Sequence, residues 1–600
     1  MNDFGQFGGS EEEFASVRKY QAEVEADPDA FESWENLIKS CEALEGGLSR
    51  NSSPQALAAF RDAYDRFLAK YPLFFGYWKK YAELEFNIAG TESAEMVYER
   101  GCACVTHSVD LWTEYCRFKM DTTHDPDIVR GPAQWHERLT LTLLVSLFER
   151  AATFVGIDFM SHPFWDKYIE YEERREAQDR IFAILARVIR IPLHQFNRYY
   201  DRFRTMSHNR PLPELAPVDV MSRIQAEVEA ESEVQGGVQR SELEVEREIR
   251  AKIDSMYYEA HMVTQNETSK RWTHESELGR QFFHVTELDH TQLNSWRKYL
   301  DFEESEGDHY RIVCLYERCL VSCALYDEFW FRYARWMSAQ AGKTEEVRHI
   351  YNRASCYVPI SRPGIRMQWA FFEESEGRAD VARDLHEAIL TKLPDCIEVI
   401  ISWAHLQRRQ KDLDAAIQVL KDQIDAPIVD LYTKAALVAE WGMLLWKFGG
   451  SAEQARAVFV KNAQWYGDSR NFWEKWFSFE LEQPKQPDTE ADLTQRVKHV
   501  YDEFRRKSRL STTVKRELAH LYLDFLVRRG GQDAMTEYLQ VDRELFGPLS
   551  VTGDNASKEN GMAGTELDQA SRHKAEARLM FFYETHVEPS MAAQGPAVFN

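Results

Sequence analysis

The chain has 600 residues, with 73 Lys plus Arg against 98 Asp plus Glu and a formal charge of −25 at pH 7. Neutralised phosphates supply most non-specific nucleic-acid affinity, so this balance excludes phosphate gripping over most of the surface and leaves room only for local or partner-mediated RNA contact. Hydrophobic residues at 44% and aromatics at 13% exclude wholesale disorder, and no apolar run approaches the ~18 residues a membrane-spanning helix needs.

Residues 1–30 open as MNDFGQFGGSEEEF, acidic and polar, and read as a flexible N-terminus without a secretory signal. The Asn-x-Ser/Thr triplets at Asn51, Asn266 and Asn555 are therefore not expected to carry glycans. From residue 31 a pattern takes over. Trp78, Tyr81 and Leu84 lie three residues apart, a stripe along one helix face, and Glu85 follows. A second helix carries YERG at 98–101, and Trp112, Tyr115 and Phe118 restart the stripe 34 residues after Trp78. FERA at 148–151 and Trp165, Tyr168, Tyr171 and Glu172 continue it beyond an insertion at 120–132, and this first array spans 31–209.

Residues 210–280 lack the aromatic pattern. RPLPELAP at 210–217, a run of acidic residues and the Gly236-Gly237 pair read as a flexible or partly helical connector. The segment SKRWTHESELGRQFFHVTEL at 269–288 leads into a second array over 281–546. There the string FEESEG occurs twice, at 302–307 and 372–377, with matching flanks and a worn copy between them at Trp330. The period is about 35, and FEESEG marks the end of a first helix and the turn after it, with Gly307 offering the turn. Later units begin near Trp403, near Trp441, and at Trp473 with Trp476, Phe479 and Glu480. One such hairpin cannot bury its apolar stripes alone, so the fold class is all-α, an α-solenoid of stacked helical hairpins in two arrays. The aromatics are expected to be core, and the repeated Glu and Arg to pair between helices with the ~0–1 kcal/mol of exposed ion pairs. Residues 547–600 read as a largely disordered tail with a possible amphipathic helix at 567–588, carrying Leu579, Phe582 and Tyr583 near one face.

Chemistry is sparse. AGKT at 341–344 lacks the first glycine of a phosphate-binding loop, because Met337 stands there, and HEAIL at 386–390 lacks the second histidine of a zinc-protease helix. Cys314, Cys319 and Cys323, like Cys102 and Cys104, fit no familiar zinc spacing and are expected in the core. The chain is read as a non-enzyme without metal or cofactor. One basic run stands out: RRKSRLSTTVKR, with Arg505, Arg506, Lys507, Arg509, Lys515 and Arg516. It reads as a helix C-terminus followed by a solvated loop, or as a contact for RNA or an acidic partner. Arg202, Arg204 and Arg210 form a weaker group of the same kind.

The Trp-x2-Tyr-x2-Phe-Glu helix followed by a Tyr-Glu-Arg-Ala helix resembles the half-a-tetratricopeptide (HAT) repeat, a family concentrated in RNA-processing scaffolds. Within it, YPLFFGYWKKYAELE at 71–85, SVDLWTEYCRF at 108–118, SKRWTHESELGRQFFHV at 269–285 and ERCLVSCALYDEFWFRYA at 317–334 resemble the pre-mRNA-processing factor 39 family, in order, over roughly 30–545. The resemblance implies a nuclear, non-catalytic component or assembly factor of the U1 small nuclear ribonucleoprotein, acting in 5′ splice-site recognition. It implies dimerisation of the second array with itself or with a paralogous HAT-repeat protein, and contacts to U1 proteins including the zinc-finger C subunit. RNA contact would be mainly indirect, and no membrane is involved. The dimer surface is expected in the last repeats from Trp473 and Trp476 onward, completed by Leu579, Phe582 and Tyr583. The alternatives are a HAT scaffold of mRNA 3′-end cleavage and polyadenylation, or a direct RNA binder using 505–516.

Overall fold

The computed structural model describes residues 11–123, 133–234, 241–483 and 490–547. The regular elements among them are 26 α-helices and two short 3-10 turns. Successive helices pair as antiparallel hairpins, such as Phe75–Ala89 with Thr91–Cys104 and His290–Glu306 with His309–Ser322. The chain forms two compact units, Met1–Ile365 and Arg366–Asn600.

The repeat pattern has a specific physical basis in the first unit. The opening tryptophan of a first helix donates its indole N–H to a carbonyl six residues back, in the turn it has just left. Trp34 does so to Pro28, Trp78 to Pro72, Trp112 to Thr106 and Trp330 to Ala324, at 2.8–2.9 Å. Trp165, after a longer turn, reaches Gly156 O at 2.9 Å. A buried indole N–H needs such an acceptor, which is why Trp outperforms Phe at this position. The arginine of the second helix then lies over the tryptophan face, Arg100 on Trp78, Arg187 on Trp165 and Arg353 on Trp330, at 5.2–5.6 Å. Between units, the aromatic that opens Tyr-Glu-Arg stacks on the tyrosine of the next first helix. Tyr98 meets Tyr115 at 5.2 Å, Phe148 meets Tyr168 at 4.6 Å and Tyr316 meets Tyr333 at 4.5 Å, all within 15° of parallel.

The repeated glutamates differ from expectation. Glu85, Glu172 and Glu303 are buried, so they are not exposed rim charges. Arg61 grips Glu85 through two hydrogen bonds of 2.7 and 2.9 Å, and Arg271 grips Glu303 at 2.7 and 3.0 Å. A buried carboxylate whose arginine is removed is left uncompensated, so these pairs matter far more than the ~0–1 kcal/mol of surface pairs. Gly307 closes its first helix in the left-handed region at φ 82°, where a side chain would be strained.

Helix Val218–Val234 and the 36-residue helix Glu242–Glu277 occupy the segment read as a connector, whose Gly236-Gly237 pair lies outside the described residues. The longer helix starts on a capping box made by Ser241 and Glu244. Its buried stripe, from Ile249 through Tyr257, His261, Thr264, Thr268 and Arg271 to Glu275, is polar over its second half. Thr264 donates to Ile189 O at 2.8 Å, and Tyr257 donates to Leu215 O at 3.0 Å. The helix therefore belongs to the body of the first unit, which runs on through two further hairpins.

The second unit keeps this logic at Trp473 but not at Trp403 and Trp441, whose buried indole N–H groups have no acceptor. Phe459, Phe472, Trp473, Trp476, Phe477, Phe479, Phe504 and Tyr522 fill its main core. Trp473 donates to Gly467 O at 3.2 Å, six residues back, and Arg456 holds buried Glu480 at 2.5 and 3.0 Å. Gly442 lets helices Leu431–Lys447 and Ala452–Asn462 approach closely, since a Cβ there would meet the Phe459 ring at 2.6 Å.

Candidate functional site

No group of three or more His, Cys, Asp or Glu side chains among the described residues is arranged to hold a metal ion. Nor is any helix among them long and apolar enough to cross a membrane.

The basic run spans the end of helix Glu490–Lys507 and the start of Thr512–Arg529. Most of its cations are already engaged. Arg505 pairs with Glu544 at 2.9 Å, Arg506 and Lys507 both pair with Glu503, and Arg509 lies 3.7 Å from Asp468. Arg516 donates to Leu545 O at 3.0 Å, while Lys515 is half-buried. The run thus sits among acids contributed by neighbouring helices, a pattern invisible in a one-dimensional window. Arg202 and Arg210 are likewise paired, with Glu173 and Asp179, and Arg204 is exposed.

Trp473 and Trp476 are fully buried in the chain's own core, their rings 5.6 Å apart and Trp473 edge-on to Phe504 at 5.4 Å. Neither faces outward, so neither can touch a second copy directly; the repeat stripe that flagged them is a packing signal. Leu579, Phe582 and Tyr583 lie outside the described residues. What the last hairpin does present is apolar surface: Val527, Met535 and Leu539 are 47–59% exposed around the turn between helices Thr512–Arg529 and Ala534–Phe546. The i, i+4 spacing of Met535 and Leu539 was the available sequence signal.

Three further features of the first unit bring together segments that lie far apart in the chain. The first is a cleft of about 450 Å³ where FFHV meets the opening repeats. Phe283 is buried edge-on to Phe74 at 4.9 Å, His284 packs on Phe31 at 5.8 Å, and Phe282 remains half exposed. The second is a buried charge cluster around helix His309–Ser322. Arg318 holds Glu275 at 2.6 and 2.5 Å, reaches Gln281 at 2.7 Å and lies 3.9 Å from Asp158. Its neighbour Glu317 is gripped by Arg353 at 2.8 and 2.7 Å. Burial opposes ionisation of Glu317, yet the Arg353 charge outweighs it and holds the carboxyl at about 2. Burial also pushes the His107 imidazole below its ordinary value despite the nearby Glu317 carboxylate, so His107 is held neutral. The third feature is an aromatic cleft beside Trp272.

A family model described as PRP39 N-terminal HAT repeat matches residues 18–205, and one described as PRP39 C-terminal HAT repeat matches residues 269–409. Pre-mRNA-processing factor 39 of Schizosaccharomyces pombe is 47% identical over 565 residues, covering 92% of this chain and 90% of that protein. The chain belongs to the pre-mRNA-processing factor 39 family. The Homo sapiens protein of that name is 32% identical over 427 residues, and the match covers 68% of this chain but only 60% of the human one. U1 small nuclear ribonucleoprotein component PRP42 of Saccharomyces cerevisiae is 22% identical over 320 residues, 52% of this chain and 55% of that one. Among solved structures, the crystal structure of CstF-77 gives a TM-score of 0.44 at 13% identity, over 76% of this chain and 89% of that chain.

Within this pre-mRNA-processing factor 39 family member, the C-terminal match begins at Ser269, inside helix Glu242–Glu277. Its first motif, Lys-Arg-Trp, is thus built into the first compact unit. Arg271 is committed to Glu303 and Glu267, and Lys270 pairs with Glu267 and Glu306. Of the three residues, Trp272 alone turns its ring to the surface.

Proposed function

We propose that the chain is a non-catalytic scaffold in pre-mRNA splicing, tied to the U1 small nuclear ribonucleoprotein and acting in 5′ splice-site recognition by bridging proteins. The observation that carries this reading is the near full-length match to a protein named pre-mRNA-processing factor 39, together with the likeness to one named as a U1 component. Two physical features support the bridging mode. The charge of −25 disfavours broad RNA contact, and the basic run is largely neutralised by Glu503, Glu544 and Asp468. The scaffold works in the nucleus, as splicing requires. Its partners are U1 proteins, the zinc-finger C subunit among them, and a second copy of the chain or a paralogue docked on the last hairpin through Val527, Met535 and Leu539. The two arrays, 31–209 and 281–546, serve as the bridge, with helix Glu242–Glu277 built into the first compact unit.

Charge reversal separates protein bridging from direct RNA reading. In the variant Arg505→Glu/Arg509→Glu, affinity for purified U1 particles is expected to stay within about twofold of the parent. Affinity for naked U1 RNA is expected to be weak in both proteins. A loss of about tenfold or more in particle binding, steeper at low salt, would move the assignment to a direct RNA binder using 505–516.

A further inference from the structure

A second cleft in the first unit, about 310 Å³ in volume, lies between the turn at 194–197 and helix Glu242–Glu277. Its wall is aromatic. Trp272, 52% exposed, lies nearly parallel to His194, 12° from coplanar with ring centres 5.7 Å apart, and the buried Phe159 ring is 6.3 Å from Trp272. Phe196 also lines the cleft. The backbone that carries Trp272 is fixed, because its neighbour Arg271 pairs with buried Glu303 on a helix with a buried face. A large half-exposed ring packed on His194 and Phe159 offers a contact surface.

The polar content of the cleft narrows the ligand. Charged residues make up 28% of the chain, yet no Asp, Glu, Lys or Arg lines this cleft. The rim carries the amides of Gln195 and Asn197, and Gln195 is held in the left-handed region at φ 64°. The hydroxyls of Thr268 and Ser269 donate to carbonyls of their own helix, at 2.7 and 2.8 Å. The Nδ1 atom of His194 is buried without a hydrogen-bond partner, as is that of His162, whose ring lies 5.0 Å away. Buried polar atoms are rarely left so, but His162 does not line the cleft and neither atom is open to it.

Single-stranded RNA fits poorly, because base stacking in such sites is coupled to cations that track the phosphates, and none lines this cleft. An acidic or basic peptide gains nothing from a lining without charge. A polyproline II segment fits the uncharged aromatic lining and the rim amides. Its backbone carbonyls are free to accept from side-chain amides, its rings are apolar and flat, and its low conformational entropy suits a shallow aromatic groove. We propose that the cleft beside Trp272 docks a proline-rich segment of a partner protein, one pyrrolidine ring packing against Trp272 and the backbone meeting the Gln195 and Asn197 amides. This assignment rests on the geometry of the first unit and is independent of the splicing reading.

The test uses the full chain and three fluorescent probes: a ten-residue proline peptide, a Gly/Ser peptide of equal length and a ten-nucleotide uridine strand. Anisotropy titrations are expected to show saturable binding of the proline peptide alone. Trp272→Ala should weaken it at least about tenfold. Ser269→Arg, at an exposed position on the rim, should do the same by filling the cleft while leaving the circular dichroism spectrum and melting temperature unchanged. Absence of proline-peptide binding, binding that survives both substitutions, or preferential binding of the uridine strand would each overturn the proposal.

Discussion

Replacing Arg318 with methionine should lower the unfolding free energy by about 3–5 kcal/mol, the cost of breaking a buried pair and leaving its partner charged. The side chain is almost wholly enclosed, and so are the carboxylates of Glu275 and Asp158 that it faces. Methionine restores most of the volume but none of the charge, so Glu275 would lose two hydrogen bonds of 2.6 and 2.5 Å at once. Glu275 would keep only the Tyr299 hydroxyl, which donates to it at 2.8 Å. Urea titration followed by circular dichroism reads the effect as a fall in the midpoint. Adding Glu275→Gln to Arg318→Met should recover a sizeable part of the loss, because a neutral amide tolerates burial better than an unpaired carboxylate. A loss below about 1 kcal/mol would mean that water screens the cluster and that it does not hold the first unit together.

The second large effect concerns Trp473, and it separates packing from self-association. Trp473→Ala removes a fully buried indole, with its hydrogen bond to Gly467 O and its contacts to Trp476 and Phe504, at a cost of about 3–5 kcal/mol. If the last hairpin carries the dimer surface, Trp473→Ala should weaken association only in step with loss of helical signal. The pair Met535→Asp/Leu539→Asp, on exposed positions, should instead convert the protein to monomer with a stability change within about 0.5 kcal/mol. Light scattering alongside circular dichroism distinguishes the two. A dimer that persists in the aspartate variant would remove this face from the interface.

Much of the architecture was legible because the HAT pattern is a packing code. Each Trp, Tyr and Glu of the stripe has one geometric task, and the spacing exposes it even from a single copy such as the unit at Trp330. The same code explains what misled. Trp473 and Trp476 stand out in the sequence for a reason that keeps them inside, so prominence pointed away from surface function. The glutamates looked like rim charges because a sequence window does not show that Arg61, Arg271 and Arg456 arrive from neighbouring helices. Helix Glu242–Glu277 escaped the aromatic pattern because half of its buried face is Thr, His, Arg and Glu, of which Thr264, Arg271 and Glu275 are satisfied by partners far away in the chain. The clefts at Phe282 and Trp272 are assembled from segments about 70 to 250 residues apart, as in the packing of Phe283 on Phe74 and of Trp272 on His194, and no local window contains them.

The proposed tie to the U1 particle runs through protein contacts. The most direct measurement is to recover the tagged chain from nuclear extract and sequence the RNA that accompanies it. The account predicts strong enrichment of U1 RNA that disappears when the particle's proteins are stripped. Recovery of 3′-end processing factors without U1 RNA, or of U1 RNA that persists on the protein-free particle, would contradict it.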